Sequence, residues 1–135
     1  MIDRETGAMQ LEHGVVLDAS FTPQQLAGSP LGPKAVPYIH NLPWESFVVQ
    51  TRCSDGTPVH LTLSFFNRTL KSIHLYLSQD PADDEKGEML RRHEAWIRDQ
   101  LGQSPFRGSW GSAVAAYNPR NDTSNLVLTY GEPIP

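Results

Sequence analysis

The sequence has almost none of the residues that build disulfide or zinc frameworks. Its 135 residues include a single cysteine, Cys53. One cysteine excludes an internal disulfide and any cysteine cluster for zinc. No run approaches the roughly 20 apolar residues of a membrane span, and the polar start of the chain lacks the apolar core of a signal peptide. We therefore expect a cytoplasmic protein that does not bind a membrane.

Charge is also sparse, and it is negative overall. Charged residues make up 19% of the chain, and 15 acidic against 11 basic side chains give a formal net charge of -4. Non-specific binding of nucleic acid needs a concentrated positive field, so a nucleic-acid partner is not expected. The length and composition predict one soluble domain over residues 1–135, in which residues 1–12 form a loose lead-in.

Apolar residues alternate with polar ones over residues 44–78, which predicts three neighbouring antiparallel strands. We predict a three-residue loop at 54–56, with Gly56 at positive φ, and a second three-residue loop at 67–69. A two-residue loop at the second turn would place the third strand's apolar residues on the wrong face. The predicted register pairs Val49 with Leu61, Phe47 with Leu63, Ile73 with Leu63 and Leu75 with Leu61.

The remaining elements complete an α+β domain. A short helix is predicted after Thr22, and Glu88 to Leu101 has the spacing of an amphipathic main helix. A second hairpin is predicted from 110–117 and 123–130. Together these elements predict two layers, an antiparallel sheet of about five or six strands packed on one main helix.

Residues 29–43 contain four prolines and interrupt this pattern. Proline lacks the backbone donor that the interior of a sheet requires, so the segment is predicted to be a long connection. Such a connection can carry function, or it can simply cross and cover an edge of the sheet.

The predicted register places His60 and His74 on one face of neighbouring strands, in diagonal positions, with Tyr76 opposite His60. Diagonal neighbours lie about 7 Å apart, within reach of a shared ligand. No third metal ligand is predicted beside them, and two surface histidines on a solvated face are the commoner arrangement. We assign no catalytic, cofactor-binding or metal-binding residue.

Two polar loops could also contact a partner. One is an acidic link that includes Asp83, Asp84 and Glu85, which could attract a basic protein by electrostatic steering. The other is a hairpin tip that presents Arg120 and Asp122. Both loops have an ordinary explanation as turn residues that favour solubility.

A set of short motifs occurs in a defined order between about Phe21 and Tyr130. The motifs are Phe21-Thr22-Pro23, Leu26, Ser29-Pro30-Leu31-Gly32, Leu63-Ser64-Phe65-Phe66, Leu70, Ile73, His93-Glu94-Ala95-Trp96-Ile97, Leu101-Gly102, Trp110-Gly111, Tyr117-Asn118-Pro119-Arg120, Ser124, Leu126 and Tyr130. Their order resembles that of small uncharacterised bacterial proteins of the toxin-immunity type. The resemblance implies a binding role and transfers no active-site residue.

These observations lead to three hypotheses for the function. The first is a non-enzymatic cytosolic protein-binding domain, concretely an immunity protein that occludes a bacterial toxin and is itself a monomer or homodimer. The second is a small-molecule or metal-binding domain, or a minor enzyme, that uses the sheet face around His60, His74 and Tyr76. The third is a homo-oligomeric structural module whose sheet edge pairs with a second copy.

Overall fold

The structure, a computed structural model, describes residues 1–77, 88–118 and 123–132. No helix within these ranges is long and apolar enough to cross a membrane. The helices are α1 (Pro23–Ala27) and α2 (Glu88–Leu101), and the strands are β1 (Met9–Gln10), β2 (Val16–Leu17), β3 (Val36–Asn41), β4 (Trp44–Arg52), β5 (Pro58–Phe66), β6 (Thr69–Tyr76), β7 (Phe106–Gly108), β8 (Gly111–Asn118) and β9 (Thr123–Tyr130).

Seven of the strands form one antiparallel sheet in the order β3-β4-β5-β6-β9-β8-β7, and β1 pairs separately with β2. The α+β class with an antiparallel sheet and one main helix is confirmed. The predicted count of five or six strands was wrong, because the edge strands β3 and β7 were not recognised. Both are hard to see in the sequence, since β3 contains a proline and β7 has three residues. The predicted two-layer arrangement stays a prediction.

The first hairpin, β4 to β5, forms as predicted. Val49 lies opposite Leu61, and Phe47 lies opposite Leu63. The backbone N–H of Cys53 donates to the carbonyl of Thr57, which leaves the three-residue loop 54–56 between them. Gly56 in this loop has φ +91°, a conformation in which a Cβ atom is unfavourable.

The second hairpin, β5 to β6, reaches the predicted pairing by a different route. Its loop has two residues, Asn67 and Arg68, with φ of 50° and 64°, and the three-residue loop at 67–69 was therefore wrong. These two positive φ angles are those of a type I′ turn. An extra residue at Lys71 then forms a bulge, which restores the face that a two-residue loop alone would invert. As a result Leu63 still pairs with Ile73, and Leu61 with Leu75.

Local sequence signals explain both helices. In α1 the Thr22 hydroxyl accepts from the N–H of Gln25, and the Gln25 side chain accepts from the N–H of Thr22, which is a capping box. Helix α2 contacts β8 and β9 and ends before Gly102, whose φ of +87° allows its N–H to donate to the carbonyl of Arg98. The buried side of α2 follows the helical period and consists of Met89, His93, Ile97 and Leu101.

The start of the chain, predicted to be a loose lead-in, is packed against the rest. Ile2, Met9 and Leu11 are 7%, 0% and 2% exposed and belong to the same apolar cluster as the sheet. The hydroxyl of Tyr130 donates to the carbonyl of Gly7 at 2.8 Å, which connects this segment to β9. This packing was not predicted because Met9 and Leu11 alone have the two-residue spacing of a strand, which is too short a pattern to indicate one.

The two faces of the seven-stranded sheet differ in what covers them. The core face carries the buried Leu61, Leu63, Phe65 and Leu128, and the ring of Phe21 stacks on Phe65 from the segment before α1. We call the opposite side the outer face. Its residues alternate with the core residues along each strand, so their side chains point away from α2 and the N-terminal segment.

Candidate protein-binding surface

The outer face is organised as two rows of short side chains that cross the sheet from strand to strand. The strand pairings place these residues directly opposite one another and on one face, so each row runs perpendicular to the strands. The valine row consists, in spatial order, of Val36, Val48, Thr62, His74, Val127 and Val114. The hydroxyl row consists of Ser64, Ser72, Thr129 and Ser112, with Ile39 and Ser46 continuing it at one end and Arg107 at the other.

Strand β3 forms one edge of the sheet and exposes a group of large apolar side chains. We call this group the edge patch; it consists of Val36, Tyr38, Ile39 and Leu42, whose exposed fractions are 61%, 68%, 48% and 64%. All six residues of β3 are exposed. Contiguous exposed apolar residues are uncommon on soluble proteins, and where they occur they commonly mark a contact site for a protein or a ligand.

Two aromatic side chains extend the edge patch along the outer face. Trp44 on β4 lies opposite Phe66 on β5, and their rings meet edge to face with centroids 5.0 Å apart. Both residues are half-buried, so part of each ring is accessible. Aromatic side chains beside an exposed apolar patch match the apolar, aromatic-rich core of protein interfaces.

An irregularity in β3 is held in place by a side chain of the neighbouring strand. The pairing of β3 with β4 shifts between Pro37 and Ile39, which leaves Tyr38 as the extra residue. The N–H of Ile39 donates to Oγ of Ser46 at 3.0 Å, so the amide at the shift is satisfied by a buried serine. The bulge therefore has a defined structure, and Tyr38 is presented at the edge rather than in the ladder.

The predicted diagonal arrangement of His60 and His74 is present, because His60 pairs with Tyr76 and Thr62 pairs with His74. His60 is half-buried, and its Nδ1 lies 3.5 Å from Nε2 of Gln50. His74 is partly exposed, and partial burial lowers the pKa of its imidazole below 6.5. His60 also lines a shallow depression that connects it to the edge patch, together with Lys34, Val36, Val48 and Gln50.

Tyr76 does not share the accessibility of the two histidines. It is 3% exposed, and its ring meets the ring of His93 edge to face at 5.4 Å. The strand period places Tyr76 on the outer face, but at the end of β6 the side chain is enclosed beside α2. A site formed by His60, His74 and Tyr76 together is therefore not open on this surface.

The five remaining candidate residues lie outside the described parts of the chain. They are Asp83, Asp84 and Glu85 of the acidic link, and Arg120 and Asp122 of the hairpin tip. Their proposed contacts with a partner stay predictions. Across residues 1–77, 88–118 and 123–132, no group of three or more histidine, cysteine, aspartate or glutamate side chains is arranged to hold a metal ion.

The structure also contains a buried carboxylate that the sequence did not single out. Glu45 lies opposite His40 of β3 and is 8% exposed. One carboxylate oxygen, Oε1, is 3.9 Å from Nδ1 of His40, while Oε2 is buried and has no hydrogen-bond partner in the described parts of the chain. The sequence offered no signal for this burial, since an isolated glutamate at a strand start is ordinarily solvated.

The edge patch was missed because it lies in the proline-rich segment that the sequence assigned to a connection. One signal was available: Val36, Tyr38, Ile39 and Leu42 are four large apolar residues within seven positions, in a segment with too many prolines to be a core element. Apolar residues that cannot enter a core must be exposed, and exposed apolar residues indicate a contact surface.

Comparison with known proteins gives one fold-level likeness. No family model matches the chain, and no curated protein matches it. The chain is similar to a chain in a solved structure of Rhs1-CT in complex with the cognate immunity protein RhsI1, with a TM-score of 0.60 and 18% identity. The likeness covers 96% of this chain and 85% of that one. It confirms, for the fold, the resemblance to proteins of the toxin-immunity type.

Proposed function

We propose that the protein is a non-enzymatic protein-binding domain of the toxin-immunity type, which suppresses a bacterial toxin by covering a surface that the toxin needs. The observation that carries this proposal is the edge patch, because Val36, Tyr38 and Ile39 are exposed together on strand β3 and Leu42 is exposed in the turn that follows it. The fold shared with a chain of the Rhs1-CT and RhsI1 complex supports the proposal independently.

The edge patch has the residue types that give a protein interface its affinity. Tyr38 is a large, stiff side chain, and Trp44 with Phe66 supplies a preformed aromatic pair next to it along the sheet. Burying about 100 Å² of apolar surface yields roughly 2.5 kcal/mol before the losses of association are counted. A few such side chains are therefore sufficient to anchor a partner.

The contacts of His93 and His60 support a binding role over a catalytic one. His93 is completely buried, and its two ring nitrogens contact the Leu77 N–H and the Ser124 hydroxyl. His60 contacts the amide of Gln50 and has no carboxylate in the same contact. A general base needs a partner that orients it toward a substrate, and these contacts are of the structural kind.

The finer parts of the proposal concern the polar loops and the location. We propose that Asp83, Asp84 and Glu85 accelerate the encounter with a basic partner, and that Arg120 and Asp122 contact it at the rim of the interface. Charges outside the centre of an interface act mainly on the association rate. The protein is proposed to work in the cytoplasm, as a monomer or homodimer before it binds.

The test is co-expression of the tagged chain with the products of its neighbouring genes, followed by co-purification and a growth assay. We expect one product to co-purify in stoichiometric amount, to stop growth when expressed alone, and to be harmless when the chain is present. Failure of every neighbouring product to bind at physiological salt would contradict the proposal. A rise in melting temperature with divalent metals or anions, without any protein partner, would instead favour the small-molecule hypothesis around His60 and His74.

A further inference from the structure

We propose that the hydroxyl row is the part of the outer face that hydrogen-bonds the partner, and that the partner surface it meets is uncharged. This inference rests on the proposed function and adds the chemistry of the partner to it. The residues that carry it are Ser64, Ser72, Thr129 and Ser112, on the four adjacent strands β5, β6, β9 and β8.

The geometry of the row suits a flat partner surface. Neighbouring strands lie about 4.8 Å apart, so four residues in register span about 14 Å in a line across the sheet. All four side chains are short and half-buried, and the adjoining valine row also consists mainly of short side chains. Apart from Arg107 at the outer end of the hydroxyl row and His74 in the valine row, no long side chain in the described rows holds a flat partner surface away from the hydroxyls.

The four hydroxyls are available for new hydrogen bonds. Within the described parts of the chain none of them forms a side-chain hydrogen bond, in contrast to Ser46, whose Oγ already accepts from Ile39. A hydroxyl can both donate and accept, so the row can pair with amides, carbonyls or hydroxyls of the partner. The row thus favours a neutral polar surface without selecting donors or acceptors alone.

The charge distribution disfavours a charged counterpart at the centre of this face. Neither row contains a carboxylate, although the chain has 15 acidic residues, and Arg107 is paired with the hydroxyl row at its outer end. Lys71, the bulged residue before Ser72, donates a hydrogen bond from its Nζ to the carbonyl of Glu132. A partner's Lys or Glu placed over Ser64 or Ser72 would lose its water without gaining an opposite charge, which is unfavourable. Complementarity at the centre therefore requires uncharged partner groups, whereas charges belong at the rim.

This chemistry separates two steps of binding. The acidic link of the proposed function acts on the encounter and makes the association rate depend on salt. The two rows act after the encounter, through neutral hydrogen bonds and apolar contacts, which salt screens little. We therefore expect the dissociation rate of the complex to be nearly constant between low and high salt, even where the association rate falls.

The experiment introduces either sign of charge at one position of the row and measures the dissociation constant. The probe is an inactive form of the neighbouring gene product that co-purifies with the wild-type chain. We expect Ser72→Asp and Ser72→Lys each to weaken binding by about tenfold or more, because either charge would be desolvated against a neutral surface. The matched controls are Ser54→Asp and Ser54→Lys, at an exposed position of the β4–β5 loop, and neither is expected to change the dissociation constant.

Opposite effects of the two signs would overturn the inference, because a partner with a basic surface would bind Ser72→Asp more tightly and Ser72→Lys more weakly. No effect of either variant would also overturn it, since the row would then lie outside the interface. Circular dichroism and thermal unfolding verify that each variant folds. The pair Ser64→Ala with Ser72→Ala adds no charge and is expected to weaken binding several-fold. If no gene product binds even the wild-type chain, the proposed function itself fails, which is a distinct result.

Discussion

Nδ1 of His93 lies 2.8 Å from Oγ of Ser124, and both side chains are completely buried. On the other side of the ring, Nε2 accepts the N–H of Leu77 at 3.1 Å. Because Nε2 is the acceptor, the neutral ring carries its proton on Nδ1 and donates it to Ser124. One imidazole therefore joins α2 to β9 and to the residue that follows β6.

Removing either side of this contact should destabilise the fold. We expect Ser124→Ala to lower the free energy of unfolding by about 1–3 kcal/mol, since it removes the buried hydroxyl that accepts the Nδ1–H. His93→Ala should lower it more, by roughly 2–5 kcal/mol, because it also opens a cavity. Urea denaturation followed by circular dichroism measures both values. The control Ser54→Ala, on an exposed loop, should stay within about 0.5 kcal/mol of wild type; an equally small change in Ser124→Ala would show that the contact contributes nothing.

The edge patch should contribute to binding and little to stability. We expect Val36→Asp to weaken the complex with the toxin partner by at least about tenfold, because it places a charge at a desolvated position of the interface. Its free energy of unfolding should change by less than about 0.5 kcal/mol, since Val36 is 61% exposed. Titration calorimetry and urea denaturation provide the two measurements.

Val16→Asp is the matched control for the edge patch. Val16 is also an exposed valine on a strand, at 43%, but it lies on β2 outside the seven-stranded sheet. The dissociation constant of Val16→Asp should equal that of wild type. If both aspartate variants weaken the complex equally, the added charge acts through net charge alone, and the edge patch is not the contact surface.

The backbone of Arg68 in the β5–β6 turn has a strained conformation that a substitution can relieve. Arg68 has φ of 64°, a region in which a Cβ atom is unfavourable and which glycine adopts freely. Arg68→Gly produces the Asn-Gly sequence that type I′ turns prefer, so we expect the free energy of unfolding to rise by about 0.5–1 kcal/mol. Thermal unfolding checks the sign. Gly56→Ala is the opposite control, since it adds a Cβ at φ +91° and should destabilise.

The sequence predicted those parts of the fold in which a local signal and the tertiary structure agree. Residues such as Leu61, Leu63 and Ile73 alternate without interruption, so their pairing could be derived even though the loop length was wrong. The bulge at Lys71 adds one residue to β6, and this extra residue gives the same pairing as the predicted three-residue loop. A bulge depends on how a turn and a ladder fit together, and no single residue type signals it.

The candidate site was predictable to a smaller extent. The positions of His60 and His74 followed from the period of two, whereas the burial of Tyr76 depends on α2, which the strand pattern does not include. The edge patch was not predicted because Pro37 is unfavourable in the interior of a sheet, so the segment was not assigned to a strand. An edge strand tolerates such a proline, and only the finished sheet shows which segment is the edge.

Cys53 should be an unreactive thiol in the folded protein. It is 1% exposed, and burial raises its pKa from 9.0 to about 11. The thiolate is the reacting form, so a thiol reagent at mildly alkaline pH should label the native chain slowly and the urea-unfolded chain rapidly. The folded chain holds this proton more tightly than the unfolded chain, so Cys53 should also reduce stability as the pH rises above about 9. Rapid labelling of the native protein would contradict the buried environment.

His74 should make both stability and binding weaken in mild acid. Partial burial lowers its pKa below 6.5, so the unfolded chain takes up a proton more readily than the folded chain as the pH falls. The contribution of His74 to stability is therefore complete above about pH 7 and decreases below the unfolded pKa of about 6.5. Its neighbours on the outer face are Thr62, Val127 and, diagonally, His60, and none of them is a carboxylate that could hold the protonated ring.

Binding of the partner should enlarge this effect, because covering the outer face removes more water from the His74 ring and disfavours its charged form further. We expect the dissociation constant of the complex to rise as the pH is lowered from 7.5 toward about 5.5, and His74→Gln to reduce that rise. Comparing the two proteins at each pH cancels the contributions of His60 and of the partner's own titrating groups. An identical pH dependence in wild type and His74→Gln would show that His74 stays in water in the complex, and the valine row would then lie outside the interface.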